Sequence, residues 1–357
     1  MRLETIVVLP VFFALAALPI AAAEPVLRQN FADGNAGGWM ALGNGASLET
    51  VDGSLHLVYK ARAGSLSLAY LPVAALPFGD FRSLRFEVRT DIPMPVAIVL
   101  SERKPGGGNY TAVVWSAGDR WQNVVLGAAD FAVSDGANDP VDSDHKLDAE
   151  QIESVAFLDM GQFFSTAASA GNVPFHVEPH DGPHSISVRA FEVSRDPLPA
   201  VPSDVVDDFS RAVPAWFSPG GAAFEQKDGA LSIRYAQLPE EFVAFLHQTP
   251  ARDYKGATHL AMDVASDRPA QLVISIAERR SGSQPAARYH CEFFLPGGGR
   301  IDHREVSLAA FELDENAAPD PDGKLDPNNI QSILILDVTG ESGDNTLTLR
   351  DLRLIRR

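Results

Sequence analysis

Val96-Ala97-Ile98-Val99-Leu100-Ser101-Glu102-Arg103 (VAIVLSER) recurs 176 positions later as Leu272-Val273-Ile274-Ser275-Ile276-Ala277-Glu278-Arg279 (LVISIAER). Successive side chains of a strand point to opposite faces. Val96, Ile98 and Leu100 therefore share one face and Ala97, Val99 and Ser101 the other. In the second copy Leu272, Ile274 and Ile276 oppose Val273, Ser275 and Ala277. A strand with one bulky apolar face and one smaller face buries the first in a sandwich core and leaves the second open. The similarity continues outward. Phe31 with Trp39 recurs as Phe209 with Trp216, and Asp52-Gly53 before Leu55 and Leu57 recurs as Asp228-Gly229 before Leu231 and Ile233. Asp-Gly between alternating apolar residues is a hairpin signal. Lys146-Leu147-Asp148 returns as Lys324-Leu325-Asp326, at a slightly larger offset, as small loop insertions in a duplicated domain require.

The 357 residues suit two domains of ordinary size. Between the copies lies Arg195-Asp196-Pro197-Leu198-Pro199-Ala200-Val201-Pro202, whose prolines favour an extended spacer. We place the first domain at 24–195, the linker at 196–203 and the second domain at 204–357. No long segment of the two copies carries a 3.6-residue apolar period, so the chain reads as all-β, with only short helical turns at Asp148–Ile152 and Pro327–Ile330. The balance of 29 Lys+Arg against 47 Asp+Glu gives a net charge of -18, which excludes a nucleic-acid binder that works by neutralising phosphates. Thr5–Ile20 is nearly all apolar and is followed by Ala21-Ala22-Ala23, the pattern of a signal peptide spanning 1–23 and cleaved near Ala23. The expected location is periplasmic or secreted, with no integral membrane segment in the mature chain. The single cysteine, Cys291, shares its face with Tyr289 and Phe293 and reads as a small core residue.

Several motifs in this order carry a family resemblance. They are Asp207-Asp208-Phe209 with Trp216, Asp253-Tyr254-Lys255-Gly256 before a strand, and Lys324 to Ile330 leading to Leu336-Asp337 and then Leu347 to Leu354. Their order resembles the galactose-binding-like jelly roll of carbohydrate-binding modules and of the complex I intermediate-associated family. The resemblance implies two tandem jelly-roll β-sandwich domains and a non-catalytic protein that binds carbohydrate or a cell-surface polymer. It also implies an aromatic ring on an open face, stacked on a sugar. Trp115 is the candidate, with Phe294 at the matching place in the second copy and Arg103 and Arg279 as polar companions. Trp39, Trp121 and Trp216 match positions that pack the sandwich in that family. The resemblance further implies a structural Ca²⁺ near the first and last strands, held by Asp207, Asp208 and Asp351. The first copy has Gln29-Asn30 and Ala190-Phe191 at those places, so the expectation applies to domain two alone.

Two features lie outside that pattern. Each copy has an acidic loop before its Lys-Leu-Asp motif, with Asp135, Asp139, Asp142, Asp144 and Asp148 in one and Asp314, Asp320, Asp322 and Asp326 in the other. These read either as solvated surface or as a weak Ca²⁺ site. The first copy also has about 17 extra residues after Asp159, including His176, His180 and His184 at intervals of four. Imidazoles at that spacing suit a transition metal on a helix, but Pro179 and Pro183 forbid a regular one. No nucleophile elbow or phosphate-binding glycine loop is present. Three readings follow: a carbohydrate-binding protein, a structural or protein-interaction module of an exported assembly, and a metal-binding protein or enzyme centred on the His176–His184 loop.

Overall fold

The computed structural model describes residues 24–357 except 74–77, 104–105, 135–138, 141, 143, 172 and 280–285. The signal-peptide expectation and Asp135 lie outside the described residues. Each copy folds into two antiparallel sheets with the same strand order. In domain one the sheet holding the terminal strands runs Ser47–Val51, Ser54–Ala61, Gly182–Ser194, Ser83–Thr90 and Gln122–Gly127, with Leu27–Gln29 also paired to Gly182–Ser194. The second sheet, which contains the repeated stretch, runs Ala132–Val133, Asn109–Ala117, Pro93–Glu102, Ile152–Asp159, Leu68–Pro72 and Met40–Leu42. Domain two repeats this order. Its terminal sheet runs Ala223–Lys227, Ala230–Gln237, Gly343–Ile355, His259–Ser266 and Asp302–Ser307, with Val205–Asp207 paired to Gly343–Ile355. Its second sheet runs Trp216–Phe217, Val243–Gln248, Ile330–Asp337, Ala270–Glu278, Arg288–Leu295 and Glu312–Leu313. The chain is therefore an all-β pair of tandem jelly-roll sandwiches.

The alternation read from the repeated stretch decides which face is core. Val96, Ile98 and Leu100, and in the second copy Leu272, Ile274 and Ile276, are all within 1% of complete burial. The duplication reaches the backbone, since φ is positive at Phe31 and Phe209, at Asp52 and Asp228, and at Ala190 and Asp351. Asp52 and Asp228 start the Asp-Gly hairpin turns, where left-handed conformations are required. The acidic loops are pinned in the same way in both copies. Tyr110 and Tyr289 donate their hydroxyls to Asp142 and Asp320, and the carboxylates of Glu102 and Glu278 accept the backbone N–H of Asp148 and Asp326.

Two features depart from the sequence reading. The extra residues of domain one begin with an α-helix, Gly161–Ser169, whose Gln162 bonds both the N–H and the C=O of Ser67. Nine residues are too few for apolar periodicity to show. Trp121 is half-buried on an outer face rather than packed inside the sandwich, unlike Trp39 and Trp216, which are 4% and 0% exposed.

The two domains are joined by packing as well as by the linker. Trp115 of domain one, 3% exposed, packs against Phe224 of domain two with ring centres 4.9 Å apart and planes tilted by 55°, and belongs to domain two's core, along with Ala97, Val113 and Leu158. In exchange, Val213 of domain two lies in domain one's core. The Trp115 N–H donates to the Pro214 carbonyl at 2.9 Å, and the N–H groups of His176 and Glu178 donate to Phe242 and Pro219. Arg211 pairs with Asp130, which also accepts the Gly127 N–H. The helix adds Phe164, 6.0 Å from Phe217.

Removing the Trp115 ring leaves a hole shared by both cores. Trp115→Ala is expected to cost about 3–5 kcal/mol and to split a common thermal unfolding transition into two. Phe294→Ala, at the matching register but 53% exposed, should cost well under that. Equal losses in calorimetry would contradict the shared core.

Candidate functional site

The two second sheets present equivalent outer faces with different fates. In domain two, cross-strand register lines up Gln248, Ser332, Ala277 and Arg288 in one row and Leu246, Leu334, Ser275 and His290 in the next. A third row holds Ala244, Leu336, Val273 and Glu292, and Gln271 faces Phe294 at the end. In domain one the corresponding rows include Leu68, Leu158, Ala97 and Val113, then Pro95 opposite Trp115. Val113 and Pro95 are thus replaced by Glu292 and Gln271. The apolar face is covered by domain two, and the polar-edged face stays open.

On the open face, Leu334, Leu336, Leu246 and Val273 form a half-buried apolar floor. Polar groups surround it: Gln271 donates to Glu292 at 3.3 Å, and the Gln248 Oε1 is buried with no hydrogen-bond partner. The Phe294 ring stands 53% exposed at the rim, and its carbonyl is held by Arg304.

The residues singled out from sequence are distributed as follows. Phe294 lies on the open face. Trp115, 3% exposed, points off the core face of its own sheet, but that face is where domain two docks, and the ring lines a cavity at the junction with Pro95, Phe164, His180 and Pro219 rather than the open face. Arg103 is exposed at the end of its strand. Arg279 is 4% exposed and is no companion to a ligand, because it donates to the Thr249 and Asn328 carbonyls and so fastens two loops. Gln271 was missed, since an isolated glutamine carries no sequence signal; only cross-strand register brings it opposite Phe294, while Gln248 lies three rows away on the same face.

The expected Ca²⁺ ligands serve other partners. Asp207 is buried and accepts from the Phe209 N–H at 2.8 Å and the Trp216 indole at 3.1 Å. Burial raises its pKa, against the opposing pull of Arg211 and these hydrogen bonds. In domain one Gln29 takes the same place, its Oε1 accepting from the Trp39 indole at 2.7 Å, so the pair positions a core tryptophan in both copies. Neighbouring His247 is pushed down to about 3 by burial and by Arg211 and Arg252, and stays neutral. Asp208 caps the Ser210 N–H, and Asp351 pairs with Arg353 at 2.6 Å. Among the described residues no group of three or more His, Cys, Asp or Glu side chains is placed to hold a metal ion.

The three histidines part company. His180 and His184 stack with ring centres 4.4 Å apart, paired with Asp159 and Asp91 respectively. Burial works to lower the His180 pKa, but the hydrogen bond and charge of Asp159, helped by Asp91 and Asp181, raise it overall. Asp159 also accepts from Tyr59 at 2.8 Å, and Asp337 accepts from Tyr235 at 2.6 Å in domain two. The Tyr-Asp pair is therefore part of the common scaffold. His176 turns to domain two and pairs with Glu241. With His176 turned to Glu241 and His180 and His184 stacked on each other, the three do not converge.

No protein-family profile and no curated protein matches the sequence. Among solved structures, the chain is similar to the family 11 carbohydrate-binding module from Clostridium thermocellum in complex with a β-1,3-1,4-mixed-linked tetrasaccharide. That match has 20% identity and a TM-score of 0.35, over 43% of this chain and 95% of that one. It is also similar to the N-terminal tandem of family 22 modules from Paenibacillus barcinonensis Xyn10C, with 13% identity and a TM-score of 0.30, over 93% and 97% of the two chains. A variant of a family 29 carbohydrate-binding module matches with 17% identity and a TM-score of 0.28, over 47% and 87%. The likeness concerns the fold, which rests on the strand order given above.

The pinned acidic loop gives a pH-dependent stability. Burial pushes Glu278 up to about 7, the Asp326 N–H opposes this, and the charges of Asp320, Asp326 and Asp322 add to it. Its folded pKa exceeds the ordinary 4.5, so its contribution is complete below that pH and is lost as pH rises through about 7. Glu278→Gln should flatten this part of the melting-temperature profile between pH 4.5 and 8. An unaltered slope would show that Glu278 is not its source.

Proposed function

We propose that this chain is an exported, non-catalytic protein that binds carbohydrate through the open face of domain two. The observation that carries the reading is the composition of that face: an apolar floor, amide and carboxylate groups at its edges, and one exposed ring at its rim. A sugar has apolar ring faces and a hydroxyl-bearing edge, so it needs a flat hydrophobic contact with hydrogen-bonding groups beside it. Phe294 supplies the contact. Gln271 and Glu292, beside it, supply acceptors and donors. Export rests on the apolar stretch 5–20 followed by Ala21–Ala23. The pairing of two weak sites on one polymer, which tandem domains invite, does not apply to equivalent faces here, because domain one's face is filled by domain two.

A second reading, a protein-interaction module, draws on the same Leu334–Leu336 floor. A glycan array of neutral polymers, with β-1,3-1,4-linked glucan included, separates the two. Binding by the mature protein is expected, with at least a tenfold loss for Phe294→Ala and one site per chain by titration calorimetry. If no neutral glycan binds to protein with a normal unfolding transition, the carbohydrate reading of this face fails.

A further inference from the structure

The outer face of domain one's terminal sheet carries a cluster that the proposed function does not use. Leu84, Phe86 and Val88 of Ser83–Thr90 point into the core, which leaves Arg85, Glu87 and Arg89 on the outside. Arg189 lies opposite Glu87 on the neighbouring strand and is held by it at 2.6 Å. Trp121, at the start of the strand on the other side, lies under two guanidinium groups: Arg89 is 4.8 Å and Arg189 4.3 Å from the ring centre. Among the described residues neither Arg85 nor Arg89 forms an ion pair, and the Arg85 Nε is buried with no hydrogen-bond partner.

The duplicated domain provides an internal comparison. Strand register places Ala261, Ala265 and Ile301 of domain two where domain one has Arg85, Arg89 and Trp121. The scaffold pair is kept in kind, with Asp263 opposite Arg350 as Glu87 is opposite Arg189. The same strand order therefore forms without the arginines or the tryptophan, and the cluster is an addition that the fold does not require. On a chain of net charge -18 it concentrates positive charge in one place.

We propose that this patch binds an acidic polysaccharide, with the guanidinium groups of Arg85 and Arg89 taking its carboxylates and Arg189, whose fork is held by Glu87, adding its charge beside Trp121. Arginine receives a carboxylate through two parallel N–H bonds. A ring beneath the guanidinium fixes the direction of that fork and lowers the cost of ordering it on binding. Arg85 and Arg89 are four residues apart on a strand, about 13 Å. One small anion cannot bridge that span, whereas a polymer with regularly spaced carboxylates can. Nucleic acid is disfavoured because its dense charge meets the field of an acidic protein. Recognition of anionic lipid draws on clusters of roughly four to eight basic residues, and this patch has three. The site lies in a different domain from the open face and does not depend on it.

The test is titration of the mature protein with polygalacturonate, with its fully methyl-esterified form and phosphatidylglycerol vesicles as parallel probes. The triple variant Arg85→Ala, Arg89→Ala, Trp121→Ile places domain two's own residues on the same strands, so the fold accommodates it. Wild type should bind polygalacturonate, more weakly as salt rises, and the triple variant should lose at least tenfold. Neither should bind the ester. Equal binding of the ester, unchanged binding by the variant, or retention on vesicles with none on polygalacturonate would each overturn the proposal. Neutral-glycan binding, measured separately, reports on domain two's face, so the two assignments fail independently.

Discussion

Trp115 is covalently part of domain one's sheet, yet its ring fills the core of domain two. The partner across its strand is Pro95, so its own N–H faces the opposite edge, where it reaches the Pro214 carbonyl. One residue thus supplies both a large apolar side chain and a backbone donor to the neighbouring domain. Burial of such a ring outweighs any single exposed ion pair at the junction. The rest of the arrangement follows from it. The face around Trp115 is closed, the linker lies beside the junction, and the helix and His176 segment of the extra residues rest against domain two.

A closed face in one copy gives the open face in the other its meaning. Duplication starts with two equal surfaces, and a handful of replacements separates them. Val113 and Pro95 permit docking because they bring no polar groups that must be satisfied. Glu292 and Gln271 at those positions would bury a charge and an amide, so the same docking is disfavoured on domain two. Ring position is kept while its role changes, from joint at Trp115 to exposed rim at Phe294. On the opposite sheets the difference runs the other way, where domain one has arginines and a tryptophan and domain two has alanines and an isoleucine.

The fold was legible because its signals are local. Alternation in VAIVLSER and LVISIAER fixed the core face, and Asp-Gly marked the hairpins. The repeat fixed the number of domains. Phe294 was reachable by aligning the copies. The role of Trp115 was not, because its partner Phe224 is more than a hundred residues away and nothing local distinguishes an apolar face meant for solvent-facing binding from one meant for another domain. Arg279 failed for a similar reason: strand parity located it, but only loop packing showed that backbone carbonyls already occupy it. Trp121 was placed in the core by family pattern, whereas the residues that flank it, Arg89 and Arg189, come from separate strands and meet only through register. The helix Gly161–Ser169 was too short to announce itself and is held by the Ser67 backbone rather than by an amphipathic stripe.

Amide hydrogen exchange at Trp115 tests the central claim, that domain two seals domain one's face. Its N–H has the Pro214 carbonyl as its partner, so its protection reports docking rather than the stability of domain one's own sheet. Protection in the full chain comparable to that of core strand amides such as Ile98 is the predicted result. Fast exchange at Trp115 while the amides of Pro93–Glu102 remain protected would contradict it.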